Sequence, residues 1–114
     1  MKRSLGYLTP VEKKILQSFI EELKRSLGNE IVNMVLFGSR VRGDFNEESD
    51  IDIFILVRER TTGIRERIGD LTADYIFDYD IPLSPVVYDL FEYQKNKELR
   101  SFFLENVERE GIAL

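Results

Sequence analysis

Ile53-Phe54-Ile55-Leu56-Val57 is apolar at every position. A strand with one face in water alternates apolar and polar residues, so an unbroken run of this kind calls for a strand covered on both faces. The rest of the chain has to supply that cover. Residues 50–57 therefore read as a central strand, and the segments around it read as the helices and partner strands that bury it.

Those segments carry clear boundaries. Thr9-Pro10-Val11-Glu12 is a capping box with proline at the first helical position, which starts a helix there. Val11, Ile15, Leu16, Phe19, Ile20 and Leu23 follow a 3.6-residue period, and Gly28 ends it. Residues 31–37 are a short apolar run closed by Gly38, a second buried strand. Residues 40–43 allow only a short helical turn, and residues 44–49 form a polar loop. A second long helix spans about 61–79, with Ile64, Ile68, Leu71, Tyr75 and Ile76 facing inward and Gly69 loosening its middle. Residues 81–88 alternate and contain Pro82 and Pro85, which places that strand at an edge. Asp89 and Glu92 cap a further helical region that carries Leu99, Phe102, Phe103, Leu104 and Val107 and stops at Gly111. Ile112-Ala113-Leu114 is apolar enough to dock on the sheet. The expected fold is α/β, or α+β: a small mixed β-sheet flanked by helices.

Composition removes many function classes. With 114 residues the chain has room for one core, so residues 1–114 are expected to form a single domain. There is no cysteine and no histidine, which excludes disulfide frameworks, thiol nucleophiles, zinc clusters and Ser-His-Asp triads. Chemistry must run on carboxylates, hydroxyls, lysine and arginine. A net charge of -5 disfavours non-specific duplex binding, which needs a basic face. No apolar stretch reaches the roughly eighteen residues of a membrane span. The first six residues lack the apolar core of a signal peptide, so the default expectation is a cytoplasmic protein. Phe91, Tyr93, Phe102 and Phe103 read as packing residues, because no basic stripe accompanies them to make a base-stacking platform. Arg58, Arg60, Arg65 and Arg67 read as a solvated helix start, with an acceptor channel as the sharper alternative.

The candidate chemistry lies between the two central strands. Gly38-Ser39-Arg40-Val41-Arg42-Gly43 begins where a buried strand must turn sharply, and a residue without a Cβ lets backbone amides approach an anion. A short helix after it would aim free N–H groups and the Ser39 hydroxyl at the same place, with Arg40 and Arg42 supplying charge. No Gly-Lys-Ser/Thr follows, so this is not a P-loop. Asp50 and Asp52 are two apart on a strand, so both point to one face with Cα atoms about 6.5–7 Å apart. Like charges at the mouth of an apolar strand call for a cation, and hard oxygen donors favour Mg2+ or Mn2+. Alone, either half reads as an ordinary turn or a pair of solvated acids. Together, with only the twelve residues 38–49 between the strands, they become neighbours across an antiparallel pair.

At that spacing, Gly38-Ser39-Arg40-Val41-Arg42-Gly43 with Ser49-Asp50-Ile51-Asp52 resembles the signature of the minimal nucleotidyltransferases of the DNA polymerase beta type. The likeness extends loosely to the ending Glu110-Gly111-Ile112. The resemblance implies a polymerase beta palm-like fold, triphosphate binding at Gly38 and Ser39 assisted by Arg42, and Mg2+ on Asp50 and Asp52. It implies transfer of a nucleoside monophosphate, AMP from ATP by family habit, to a hydroxyl or similar acceptor. The family's third carboxylate sits on the next strand, where this chain has Ser84; Asp80, of the same parity, is the candidate substitute, and the alternative is that it belongs to a helix-to-strand turn. With few residues after the third strand, an acceptor-bearing partner is expected to complete the site, either a HEPN-type helical protein or a second copy. The rival reading is a non-catalytic nucleotide- or partner-binding module, such as the antitoxin-like partner of a HEPN protein.

Overall fold

A computed structural model describes residues 6–44, 46 and 49–114. Residues 1–5, 45, 47 and 48 lie outside that description, and with them most of the first six residues and half of the polar loop 44–49.

The elements run α1 (Pro10–Leu27), a single 3-10 turn (Gly28–Glu30), β1 (Ile31–Phe37), α2 (Ser39–Arg42), β2 (Ile51–Val57), α3 (Thr62–Tyr79), β3 (Leu83–Asp89), α4 (Leu90–Glu98), α5 (Phe102–Glu110) and β4 (Ile112–Ala113). The capping box at α1 forms as read: Glu12 N–H donates to Thr9 Oγ1 and Thr9 N–H to Glu12 Oε1. Where one helical region was expected after β3 there are two. Arg100 takes a left-handed backbone with φ of 53°, and Ser101 then caps a new helix through Leu104 N–H.

The four strands lie in the order β3-β2-β1-β4. β2 pairs antiparallel with β1 and parallel with β3, so the sheet is mixed and the apolar run sits inside it. Parity divides the core. Ile51, Ile53, Ile55 and Val57 join Leu16, Phe19 and Leu23 of α1 and Ile64, Ile68 and Leu71 of α3. On the opposite face Phe54 and Leu56 pack with Leu104 and Val107 of α5, with Phe103 and Tyr93 against them. Phe103 meets Phe37 edge-on at 5.4 Å between ring centres. The inward stripes stop short at their ends: Val11, Ile76 and Phe102 are exposed. Phe91 is exposed as well, so of the four aromatics read as packing residues only Tyr93 and Phe103 are.

β3 is the edge that its prolines predict. Ile51 N–H donates to Pro82 O, so the even-numbered residues of β3 bond to β2 and the odd-numbered ones face outward. Three of those outward positions are already closed. Leu83 N–H bonds Ile81 O, Pro85 has no N–H, and Asp89 N–H is taken by Glu92. The outward carbonyl of Val87 accepts from Arg60 Nη1 at 3.1 Å, and Arg60 also pairs with Glu92. Arg60 is thus part of the edge.

Candidate functional site

β1 ends at Phe37, whose antiparallel partner is Asp52. The chain must leave the sheet there without covering Asp52, and Gly38 does this with φ of 86° and ψ of -158°, a region that side chains avoid. A Cβ at Gly38 would run into the Asp52 carboxylate, its Cγ only 3.1 Å away. The glycine therefore serves both the turn and the carboxylate beside it. Gly38 caps α2, whose single turn is closed by Arg42 N–H to Gly38 O and Gly43 N–H to Ser39 O. A helix start leaves amides without acceptors inside the helix, and Ser39 stands at that start with a half-buried side chain.

The two arginines of the turn stand in different surroundings. Arg40 is buried at 3% exposure. Its Nη1 pairs with Glu12 Oε1 at 3.0 Å, and its Nη2 donates to Ser49 O at 3.2 Å. It thereby ties the first turn of α1 to the residue before Asp50, a strut under the site rather than a ligand in it. Burial raises the Glu12 carboxyl pKa, but the Thr9 N–H and the Arg40 guanidinium outweigh that and hold it below its ordinary value. Arg42 is exposed, with Nε 3.3 Å from Asp44 and Nη1 2.9 Å from Glu110 Oε1. Of the two, only Arg42 can reach an incoming anion.

Asp50 is exposed just ahead of β2, and Asp52 is half-buried as its second residue. Burial pushes the Asp52 carboxyl up from its usual value, the negative charge of Asp50 pushes the same way, and Arg42 pulls against them. Burial leads that shift and the charge of Asp50 adds to it, so both effects disfavour a second negative charge at Asp52. Two hard oxygen donors with surplus negative charge fit a divalent magnesium or manganese ion.

Asp80 does not join them. It is the left-handed C-cap of α3, with φ of 51° and its N–H bonded to Ile76 O, and its side chain is exposed. The residue that the parallel register sets beside Asp52 is Ser84. Among the described residues no three carboxylates form a group that could hold a metal ion. The resemblance reaches Glu110 in the ending 110–112 but gives it no role. Glu110 lies 68 positions from Arg42 in sequence, and only the path of α5 back to β4 brings them together.

The profile of the nucleotidyltransferase domain family matches residues 16–114. The chain belongs to that family. Two relatives from Methanocaldococcus jannaschii, each named as a candidate protein adenylyltransferase, are 33% identical to it. One aligns over 89% of this chain and 96% of its own length, the other over 90% and 97%. Solved structures share the fold at lower identity. A candidate nucleotidyltransferase from Sulfolobus solfataricus superposes with a TM-score of 0.53 at 23% identity, covering 88% of this chain and 76% of that one. A candidate minimal nucleotidyltransferase gives 0.56 at 22%, over 89% and 94%. A toxin-antitoxin structure with AMP-PNP gives 0.56 at 23%, over 85% and 70%. The expected family and mixed-sheet fold are thereby established. Among the described residues no helix is long and apolar enough to cross a membrane.

Proposed function

We propose that this chain transfers a nucleoside monophosphate, AMP from ATP, to a hydroxyl on a partner protein, with release of pyrophosphate. The observation that carries the reading is the juxtaposition of the Asp50–Asp52 pair with the Gly38 turn, where the carboxylate of Asp52 lies against the only kind of residue that leaves it room. Family membership supports the reaction class, the names of the two archaeal relatives support a protein acceptor, and the AMP-PNP structure of a fold relative supports ATP.

In this reading Asp50 and Asp52 hold a divalent ion, Mg2+ or Mn2+. When bound, that ion neutralises the two acids and offsets charge on the triphosphate as it reacts. Gly38 keeps the wall at the triphosphate low, Ser39 offers its hydroxyl and the helix start, and Arg42 supplies a guanidinium to the phosphate oxygens. The acceptor hydroxyl attacks the α-phosphorus and gives its proton to solvent, while the bond from the α-phosphorus to the oxygen bridging to the β-phosphate breaks and pyrophosphate leaves. Most of the work asked of the protein is orientation and charge compensation. Asp80 falls outside the metal set, as its place at the end of α3 supports.

A binding-only reading rests on one observation, Ser84 beside Asp52 in place of an acid. Two measurements separate the readings. Calorimetry with AMP-PNP should show binding that Mg2+ strengthens, and Asp50→Asn with Asp52→Asn should remove the metal-dependent part. Mass spectrometry after co-expression with the product of the neighbouring gene, a HEPN-type protein being the first candidate, should show an AMP adduct on that partner. Equal AMP-PNP affinity in wild type and double variant overturns the metal assignment, and a stable complex that never acquires an adduct establishes the binding-only function.

A further inference from the structure

We propose that Glu110 is a positioning residue that holds the Arg42 guanidinium off Asp50 and Asp52, keeping the pair of carboxylates open to a divalent cation. The inference rests on the metal assignment above and extends it to a residue of the ending, to which the resemblance gives no role.

Glu110 is built to stay where it is. Its side chain keeps 18% of its surface exposed, against 46% for Arg42 and 65% for Asp44. It is the last residue of α5, and Gly111 follows with its N–H bonded to Val107 O at 2.9 Å. Position 111 admits only glycine, because a Cβ would run into the Val107 carbonyl and the Val35 side chain. Ile112 then pairs with Leu36, and Leu36 lies one residue before Phe37, the strand partner of Asp52. The close approach at Gly111 and the β4 pairing together deliver the Glu110 carboxylate to the end of the sheet where the two aspartates lie.

The need for such an anchor follows from the charges. Arg42 ends the single turn that Gly38 begins, and Gly38 touches Asp52, so the guanidinium arm is tethered within one helical turn of the carboxylate pair. Arginine and carboxylate form a strong two-pronged pair. Left loose, Arg42 would fill the site with the protein's own cation and compete with the metal. Asp44 alone is a weak hold, since pairs between exposed groups contribute little. Glu110, sheltered and fixed, tips the arm outward. The 2.9 Å bond from Nη1 and the Asp44 contact at Nε hold the guanidinium at two nitrogens, and Nη2 stays available to phosphate oxygens.

The test uses Mn2+ alone, without nucleotide, titrated against the full chain by paramagnetic resonance, with far-UV circular dichroism confirming that each variant is folded. Wild type should bind Mn2+. Glu110→Gln keeps the shape and removes the charge, and should weaken Mn2+ binding about tenfold or more, the scale on which outer partners tune a metal site. Glu110→Asp should recover part of the loss. Arg42→Gln combined with Glu110→Gln should restore affinity to wild-type level or above, because the competing cation is gone. An unchanged affinity in Glu110→Gln overturns the inference. So does a double variant as weak as Glu110→Gln, since that is the signature of Glu110 acting on the metal through its own charge. A wild type that binds no Mn2+ defeats the metal assignment itself, and that outcome is distinct from the other two.

Discussion

Replacing Gly38 by alanine should damage the protein in two separable ways. The first is backbone: φ of 86° with ψ of -158° lies where non-glycine residues pay about 1–3 kcal/mol. The second is contact. The new methyl would overlap the Asp52 carboxylate and press on its Cγ at 3.1 Å and Cβ at 3.3 Å, in a site where Gly38 itself is buried. Forcing a carbon into a filled site costs about 1–3 kcal/mol. The sum, about 2–6 kcal/mol, is large beside the ~5–15 kcal/mol that holds a chain of this size folded, and urea unfolding can measure it. Only the contact part depends on residue 52. Asp52→Ala removes the oxygens and Cγ, so Gly38→Ala should cost about 1–2 kcal/mol less in that background, within the range seen for touching residues. Urea unfolding of the four proteins, followed by far-UV circular dichroism in the presence of a chelator, closes the cycle. Additivity within ~0.5 kcal/mol would refute the claim that Gly38 is a glycine because of Asp52.

The two arginines should part company in the same assay. Arg40→Ala should destabilise by about 2–4 kcal/mol, the cost of breaking a sheltered pair reduced for the partly exposed Glu12; an unchanged unfolding midpoint would contradict the strut. Arg42→Ala should leave stability within ~0.5 kcal/mol. It should weaken Mg2+-AMP-PNP binding roughly tenfold or more, the weight of a hydrogen bond to a charged group, as isothermal titration would show. The pH dependence has two opposed limbs. Asp52 is raised, so the folded chain holds its proton longer than the unfolded one and stability falls as pH rises from the ordinary aspartate range through the folded value. Asp52→Asn should remove that limb and stabilise the metal-free protein at neutral pH by about 0.5–2 kcal/mol. Glu12 is lowered, so its contribution is present above the ordinary glutamate value and is lost as pH falls through the folded one. Glu12→Gln should flatten that acid limb, and a wild-type acid limb surviving in it would count against the Glu12–Arg40 pair.

Much of this molecule is legible from neighbours along the chain. The apolar run at 53–57 set the sheet, the Thr9 box set α1, Pro82 and Pro85 set the edge, and the spacing of Gly38 from Asp50 and Asp52 made Gly38 and Asp52 neighbours. What stayed hidden depends on residues far apart. Arg40 and Arg42 are chemically identical two positions apart, and Glu12, 28 residues away, is what draws one inward. The contact of Glu110 with Arg42 becomes visible only once α5 is packed and β4 paired. Periodicity showed which side of a helix faces the sheet but not where the sheet ends, which is why Val11, Ile76 and Phe102 lie on their stripes and still meet water. The break at Arg100 gave no warning because a left-handed arginine is a choice of the surrounding packing, not of arginine.

The outer edge of β3 carries a consequence for how copies of this chain meet. An incoming strand needs a row of donors and acceptors in step, and this edge offers a ring nitrogen at Pro85, two spent donors at Leu83 and Asp89, and a carbonyl at Val87 already claimed by Arg60. The template is spoiled in the sense that a zip with missing teeth is spoiled: no register lines up enough free groups to run. Crowding at high concentration then finds no purchase along β3 for strand-by-strand growth.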